Sequence, residues 1–286
     1  MYFLFLFLLF VSSAAAQDLT LPNKTDSLHF AVIGDSGTGG SAQYEVARQM
    51  VGYRAKFPFT LVLMLGDNLY GGESVRDFQT KFEEPYKDLL ANGVKFYAAL
   101  GNHDNPKQRF YKPFNMNGQR YYTFKPTDRV RFFVLDSNYM DPEQLAWLER
   151  ELKASNSAWK ICYFHHPLYS SGRRHGSDED LRAFLEPLLL KYGVKVVLAG
   201  HEHFYERLRP QKGIYYFISG GSAKLRRGNI ERSDLTVKGF DQDNHFMLME
   251  IDGDVLYFQT ISRLGITIDT GLVPLQESKA MSAAAK

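Results

Sequence analysis

Five short apolar runs in this chain each end in residues that can bind cations. Thr60 to Leu65 ends in Gly66-Asp67-Asn68-Leu69-Tyr70, and Leu28 to Ile33 ends in Gly34-Asp35-Ser36-Gly37. Lys95 to Leu100 ends in Gly101-Asn102-His103-Asp104, Trp159 to Phe164 in His165-His166-Pro167, and Lys195 to Ala199 in Gly200-His201-Glu202-His203. Asp67 and Tyr70 can aim two oxygen donors at one hard cation while the second Asp67 oxygen stays free for another, so one carboxylate can bridge two ions. Taken singly, each residue has an ordinary explanation as a cap or turn residue. As a set they imply metal chemistry.

A β-branched and leucine-rich run closed by glycine is expected to be a buried strand ending in a tight turn. It carries its polar residues to the carboxyl end of the strand, where open α/β sheets keep their sites. The five ends, four closed by glycine and one by His165-His166-Pro167, lie on mostly parallel strands and are expected to converge along one sheet edge. Helices are expected at Ser41 to Tyr53, Val75 to Asn92, Asp178 to Tyr192, and Asp141 to Lys153, the last with Asp141 as N-cap and Pro142 at N1. Gln119 to Phe124 and Val130 to Leu135 suit a hairpin pair, and Ile214 to Ser219, His245 to Ile251 and Val255 to Ile261 suit antiparallel strands. An alternating β-α-β first part and a strand-rich last third predict an α/β (α+β) fold of two packed mixed sheets flanked by helices, a four-layer αββα sandwich. The tail from Gly271 to Lys286 is expected to be weakly held.

Residues 1–16 combine an apolar block, Tyr2 to Val11, with Ser12-Ser13-Ala14-Ala15-Ala16, the pattern of a secretory signal peptide too short to span a bilayer. An exported chain of residues 17–286, one domain with its core at about 28–263, is the expectation, without a stable transmembrane segment after signal removal. The 34 basic and 32 acidic residues give a net charge of +2, too balanced for a nucleic-acid surface but compatible with small anions. Cys162 is the single cysteine, so no internal disulfide forms, and its apolar strand makes it a buried, inert thiol. The glycines after Asp35 fail as a P-loop because no Gly-Lys-Ser/Thr follows.

In order and spacing the five blocks resemble the metallophosphoesterases (the calcineurin-like superfamily), and within them the small purple acid phosphatases of the tartrate-resistant type. The generic superfamily blocks lack the tyrosine, so Tyr70 is the specific mark. The resemblance assigns Asp35, Asp67, Tyr70 and His203 to one metal and Asp67, Asn102, His165 and His201 to the other. The first set suits a hard trivalent ion, Fe(III), and the second a divalent Fe, Zn or Mn. Counting both ions, two carboxylates, a tyrosinate and a bridging hydroxide leaves a charge of about +1, which favours a phosphate monoester dianion over a diester. His103 is implied to lie beside the bound phosphate as donor or leaving-group acid. His175, ten residues past His165 where the family spacing is one shorter, resembles a second such histidine. Asp104 is expected to orient His103 from behind.

His166 is expected to face away from His165, His29 and His245 to be structural, and Arg226 and Arg227, in a loop after a strand, to form a solvated basic loop in preference to shaping substrate access. The implied function is an exported acid phosphatase, a monomer acting on small phosphorylated substrates or phosphoproteins through a metal-bridged hydroxide. The alternatives are a phosphodiesterase or nucleotidase on the same scaffold, and a non-catalytic metal- or phosphate-binding protein.

Overall fold

The computed structural model describes residues 18–276, so the signal-peptide reading at residues 1–16 and the last ten residues lie outside it. In chain order the elements are β1 (Leu28–Ile33), α1 (Ser41–Arg54), β2 (Leu61–Met64), α2 (Val75–Phe78), α3 (Lys87–Ala91), β3 (Lys95–Ala98), β4 (Tyr122–Thr127) and β5 (Val130–Val134). They continue as α4 (Pro142–Ala154), β6 (Trp159–Phe164), α5 (Glu179–Lys191), β7 (Val196–Ala199), β8 (Tyr205–Leu208), β9 (Tyr215–Ser219), β10 (Thr236–Phe240), β11 (His245–Asp252), β12 (Val255–Ser262) and β13 (Thr267–Pro274).

The strands form two mixed sheets. The first has the order β13-β12-β11-β1-β2-β3, and the second β10-β8-β9-β7-β6-β5-β4. Alternation along β6 shows how the layers stack. Trp159, Ile161 and Tyr163 enter the core between the sheets with Phe30, Phe132, Phe217 and Phe258, while Cys162 and Phe164 pack outward against Leu148, Leu152, Leu181 and Leu185 of α4 and α5. Helix α1 buries Val46, Ala47 and Met50 in the same core as β1 and β11. This is the expected pair of mixed sheets with flanking helices. Hydroxyls of the second sheet reach the edge strand β3 of the first: Tyr163 donates to the Tyr97 carbonyl and Tyr122 to the Ala98 carbonyl, both at 3.0 Å.

Four details differ from the sequence expectation. The five site-bearing strands do not share one edge, because β1, β2 and β3 are parallel neighbours in the first sheet and β6 and β7 in the second. The helix expected over Val75 to Asn92 is broken by a π-helical turn, Gln79–Glu83, whose Phe82 is driven into an aromatic cluster with Tyr86, Phe96 and Phe114. Strands β8 and β10 interleave charged residues that hide their pattern, and Arg207 of β8 pairs with Asp269 of β13 at 2.8 Å. Gly271 to Pro274 belong to β13, paired in register with β12, so this part of the tail is held. At Gly271 a Cβ would meet the Phe258 ring at 2.8 Å, and glycine is what lets the two strands close over that ring.

Candidate metal centre

All five strands end at the seam between the sheets, and their loops interlock. Asp35 N donates to the Gly66 carbonyl at 3.0 Å, Tyr70 N to Gly37 at 2.8 Å and Gly200 N to His165 at 3.0 Å, while Ser222 N reaches across to Gly34 at 3.1 Å. Asp35, Asp67 and His201 adopt left-handed backbones, with φ of 55°, 51° and 68°. Such conformations cost energy in non-glycine residues and persist where surrounding contacts enforce them, typically at functional sites. Glycine is required beside them. A Cβ on Gly66 (φ +90°) would stand 2.6 Å from His165 Nδ1, and one on Gly101 would stand 2.2 Å from Asp67 Oδ1.

The polar atoms gather in two adjoining clusters. In the first, the Tyr70 hydroxyl donates to Asp35 Oδ1 at 2.9 Å, and His203 Nε2 stands 3.3 Å from both. Ligand atoms of Asp35, Asp67 and His203 lie within 4.8 Å of one another. In the second, Asn102 Oδ1 stands 3.0 Å from both His165 Nε2 and His201 Nδ1, which are themselves 3.2 Å apart. Asp67 Oδ1 joins it 3.4 Å from His165 Nε2. Asp67 is thus the residue common to both clusters. Donors bound at roughly 2.1 Å to one ion stand roughly 3 Å apart, which these separations match.

The electrostatics agree with a cation-binding role. Burial and the nearby Asp67 carboxylate hold Asp35 well above the usual carboxylate range, and burial with the Asp35 and Asp67 charges pushes the Tyr70 phenol far up. Two buried carboxylates and a half-buried phenol in one cluster repel one another's ionised forms, and a multivalent cation among them removes the conflict. The imidazoles are already in the ligand state. Burial holds His165 far below its ordinary value, His201 at about 2 and His203 at about 4. His165 Nδ1 donates to the Leu65 carbonyl at 2.9 Å, which fixes the tautomer that leaves the Nε2 lone pair facing the cluster. The residues present therefore fit two metal ions.

The remaining expected residues fall into place differently. His103 lies exposed at the mouth, its backbone N–H donating to Asp67 Oδ1 at 2.9 Å and its ring centred 4.8 Å from that of Tyr70. His175 reaches the site despite its longer spacing, with its ring 4.2 Å from that of His201. Asp104 does not turn to the His103 ring. Its carboxylate accepts from the backbone of Asn68, Leu69 and Gly101 and from the Asn68 and Gln108 side chains, at 2.8–3.1 Å, and so knots two site loops together. Burial and the Asp67 charge push it up to about 8 in spite of those bonds.

His166 also departs from expectation. Its ring lies 4.5 Å from that of His201, and Ser137 Oγ, 2.8 Å from Nδ1, holds it toward the site, because the chain turns out of strand geometry after Phe164. It lines two clefts of about 480 and 430 Å³ that flank the second cluster. His29, half-buried, bonds Ser27 and stacks on Phe57, and His245 is buried beside Tyr205, so both are structural as expected. The sequence does not single out Glu202, and for Arg226 it favours a solvated loop over a role in substrate access. Glu202 is buried beneath the site, and Arg226 is drawn over it instead of being solvated, while Arg227 is exposed. Their contacts span long sequence separations and leave no local pattern.

Comparison with known proteins gives this arrangement its family. The calcineurin-like phosphoesterase family model matches residues 28–205, which hold all the donors named above. Tartrate-resistant acid phosphatase type 5 of Oryctolagus cuniculus is 30% identical over 238 residues, 68% of this chain and 73% of that one. Purple acid phosphatase 7 of Arabidopsis thaliana is 26% identical, with 91% of this chain and 95% of that one covered. Among solved structures, purple acid phosphatase PPD1 of yellow lupin (Lupinus luteus) superposes with a TM-score of 0.71 at 19% identity, covering 89% of this chain and 55% of that one. GAP50, the anchor in the inner membrane complex of Plasmodium, does so with 0.73 at 18% identity, covering 91% and 94%. At those identities the two structures speak for the fold alone. Family model, relatives and donor clusters agree: the chain belongs to the calcineurin-like metallophosphoesterases, a family with a dimetal centre, and its relatives are the tartrate-resistant and purple acid phosphatases.

Proposed function

We propose that the protein is an exported acid phosphatase that hydrolyses phosphate monoesters at a binuclear metal centre. The observation that carries this reading is the pair of donor clusters sharing Asp67. Asp35, Asp67, Tyr70 and His203 would hold Fe(III), since three anionic oxygens and one imidazole make a hard site. Asp67, Asn102, His165 and His201 would hold a divalent Fe, Zn or Mn. Two such ions supply Lewis-acid polarisation of the phosphoryl group and an activated nucleophile.

The chain's own side chains do the positioning. His103, fixed by its backbone bond to Asp67, and His175, packed on His201, face the open side of the site, where they donate to phosphoryl oxygens and to the departing alkoxide. Both are exposed, so the site admits small phosphorylated molecules and the phosphorylated side chain of a protein alike. The fold by itself decides none of this, since it also serves as an anchor in GAP50. Export rests on residues 1–16, and no helix among the described residues is long and apolar enough to cross a membrane.

The test is to purify the protein, count metals per chain, and compare turnover of p-nitrophenyl phosphate with that of bis(p-nitrophenyl) phosphate. Two metals and faster monoester turnover are expected. Faster diester turnover would move the protein to the phosphodiesterases. No turnover by the fully loaded protein would leave a non-catalytic scaffold.

A further inference from the structure

A cationic loop crosses the Tyr70–His203 side of the site. It follows β9, and its backbone is pinned to the donor residues: Lys224 N donates to the Asp35 carbonyl at 3.2 Å and Arg226 N to the His203 carbonyl at 3.0 Å. The Lys224 ammonium lies 4.4 Å above the Tyr70 ring. The Arg226 side chain is 26% exposed and close enough for its charge to act on Asp35, Tyr70, His203 and His175, and Arg174 brings a second guanidinium into the same field.

The carboxylates near Arg226 do not saturate it. Asp35 is turned to the Tyr70 hydroxyl and the His201 backbone. Glu202 is fully buried, with Oε1 accepting from Gly176 N at 2.8 Å and Oε2 from Asn229 Nδ2 at 3.0 Å, and Arg226 Nη1 stands 4.0 Å from Oε2, buried and without a hydrogen-bond partner. Glu202 therefore tethers two loops, the one carrying His175 and the one carrying Arg226, and faces the guanidinium without engaging it. Nη1 is shielded against Glu202, and the rest of the partly exposed guanidinium makes no hydrogen bond among the described residues, so the outward part of this planar group beside a phosphate-binding site is suited to the oxygens of a phosphate group.

A phosphate monoester has three unesterified oxygens and a diester two. We propose that Arg226, tethered by Glu202, recognises the third unesterified oxygen of the substrate and so makes the site select monoesters over diesters. In a diester that position carries an alkoxy group, which offers the guanidinium no charge and crowds it. The inference rests on the phosphatase reading above and assigns its ester selectivity to one side chain.

The experiment compares wild type, R226Q, R226K, E202Q and the R226Q/E202Q pair, each metal-loaded. R226Q is expected to lower kcat/KM on p-nitrophenyl phosphate roughly thirtyfold and on bis(p-nitrophenyl) phosphate less than about threefold, with metal content unchanged. R226K restores part of the monoester rate. E202Q shows the same selectivity loss, and the double variant adds little to it, because the two residues act as a unit. Equal losses on both esters would overturn the proposal and leave Arg226 as loop packing. Calorimetry supplies a readout independent of turnover: R226Q should weaken inorganic phosphate binding roughly tenfold and leave dimethyl phosphate binding unchanged. Phosphate affinity unaltered by R226Q would also overturn it. A wild-type protein that turns over neither ester would sink the phosphatase reading, and phosphate calorimetry would still decide the role of Arg226.

Discussion

The two sheets bring different chemistry to the same seam. The first sheet, through the loops after β1, β2 and β3, delivers oxygen donors: Asp35, Asp67, Tyr70 and Asn102. The second, through the loops after β6 and β7, delivers nitrogen donors: His165, His201 and His203. Neither edge is a site alone. Each cluster combines oxygens from one sheet with imidazoles from the other, and the ratio differs between clusters, so a hard position and a borderline position arise side by side. The contrast also explains why sheet packing matters to chemistry here. A shift of one sheet against the other would separate the oxygen and nitrogen halves of both clusters at once.

The largest effect that this contrast predicts comes from Asp67, the residue reaching both clusters. Asp67→Ala should remove both metals and lower activity on the order of a thousandfold or more, measured by metal analysis and steady-state kinetics. An Asp67→Ala protein that keeps two metals would show that the clusters do not depend on a shared carboxylate, and the bridging role of Asp67 would be lost. Next is Asp104→Ala, which leaves five donors in two oxygen-side loops without their acceptor. A stability loss of about 3 kcal/mol is expected from urea unfolding. A loss below about 1 kcal/mol would mean that the loops are held by their metals or by the strands, and not by this carboxylate.

His103→Ala should keep both metals and lose about a hundredfold in kcat, since His103 sits at the mouth and belongs to neither donor set. Loss of a metal in that variant would move His103 into the oxygen-side cluster. The smallest effect on folding and the sharpest spectroscopic one belong to Tyr70→Phe. If Tyr70 binds Fe(III) as a phenolate, the purified protein should be violet to pink, and the substitution should bleach it while costing less than about 1 kcal/mol of stability, because the ring and its packing remain. A band that survives Tyr70→Phe would place another tyrosine on the iron. A colourless, active protein with two divalent ions would remove the hard position altogether.

Much of this was legible in the sequence, because the strand ends are local. An apolar run and a polar strand end, with a glycine between them in all but β6, lie close together in the sequence, and that pattern located β1, β2, β3, β6 and β7 together with the candidate donors that follow them. Caps were equally local: Asp141 accepts from Gln144 N at 2.8 Å and Asp178 from Leu181 N at 2.9 Å, where the helix starts were expected. The strands that escaped, β8, β10 and β13, are those whose pattern is broken by charges or glycine satisfied across the fold, as Arg207 is by Asp269.

The sequence by itself determined which residue types stand at strand ends, and with them the oxygen and nitrogen donors and the family. Tertiary structure alone decided that those ends come from two sheets meeting at a seam. Sheet partition depends on which strands pair, and pairing is a long-range choice that periodicity does not encode. It also decided the directions of single side chains. Asp104 faces the Asn68 and Leu69 backbone instead of the His103 ring, His166 lies beside the His165 and His201 rings instead of facing away from His165, and Arg226 lies over Glu202 instead of in solvent. Each of those orientations is set by a partner at least twenty residues away or by a loop that has left strand geometry, where alternation no longer says which way a side chain points.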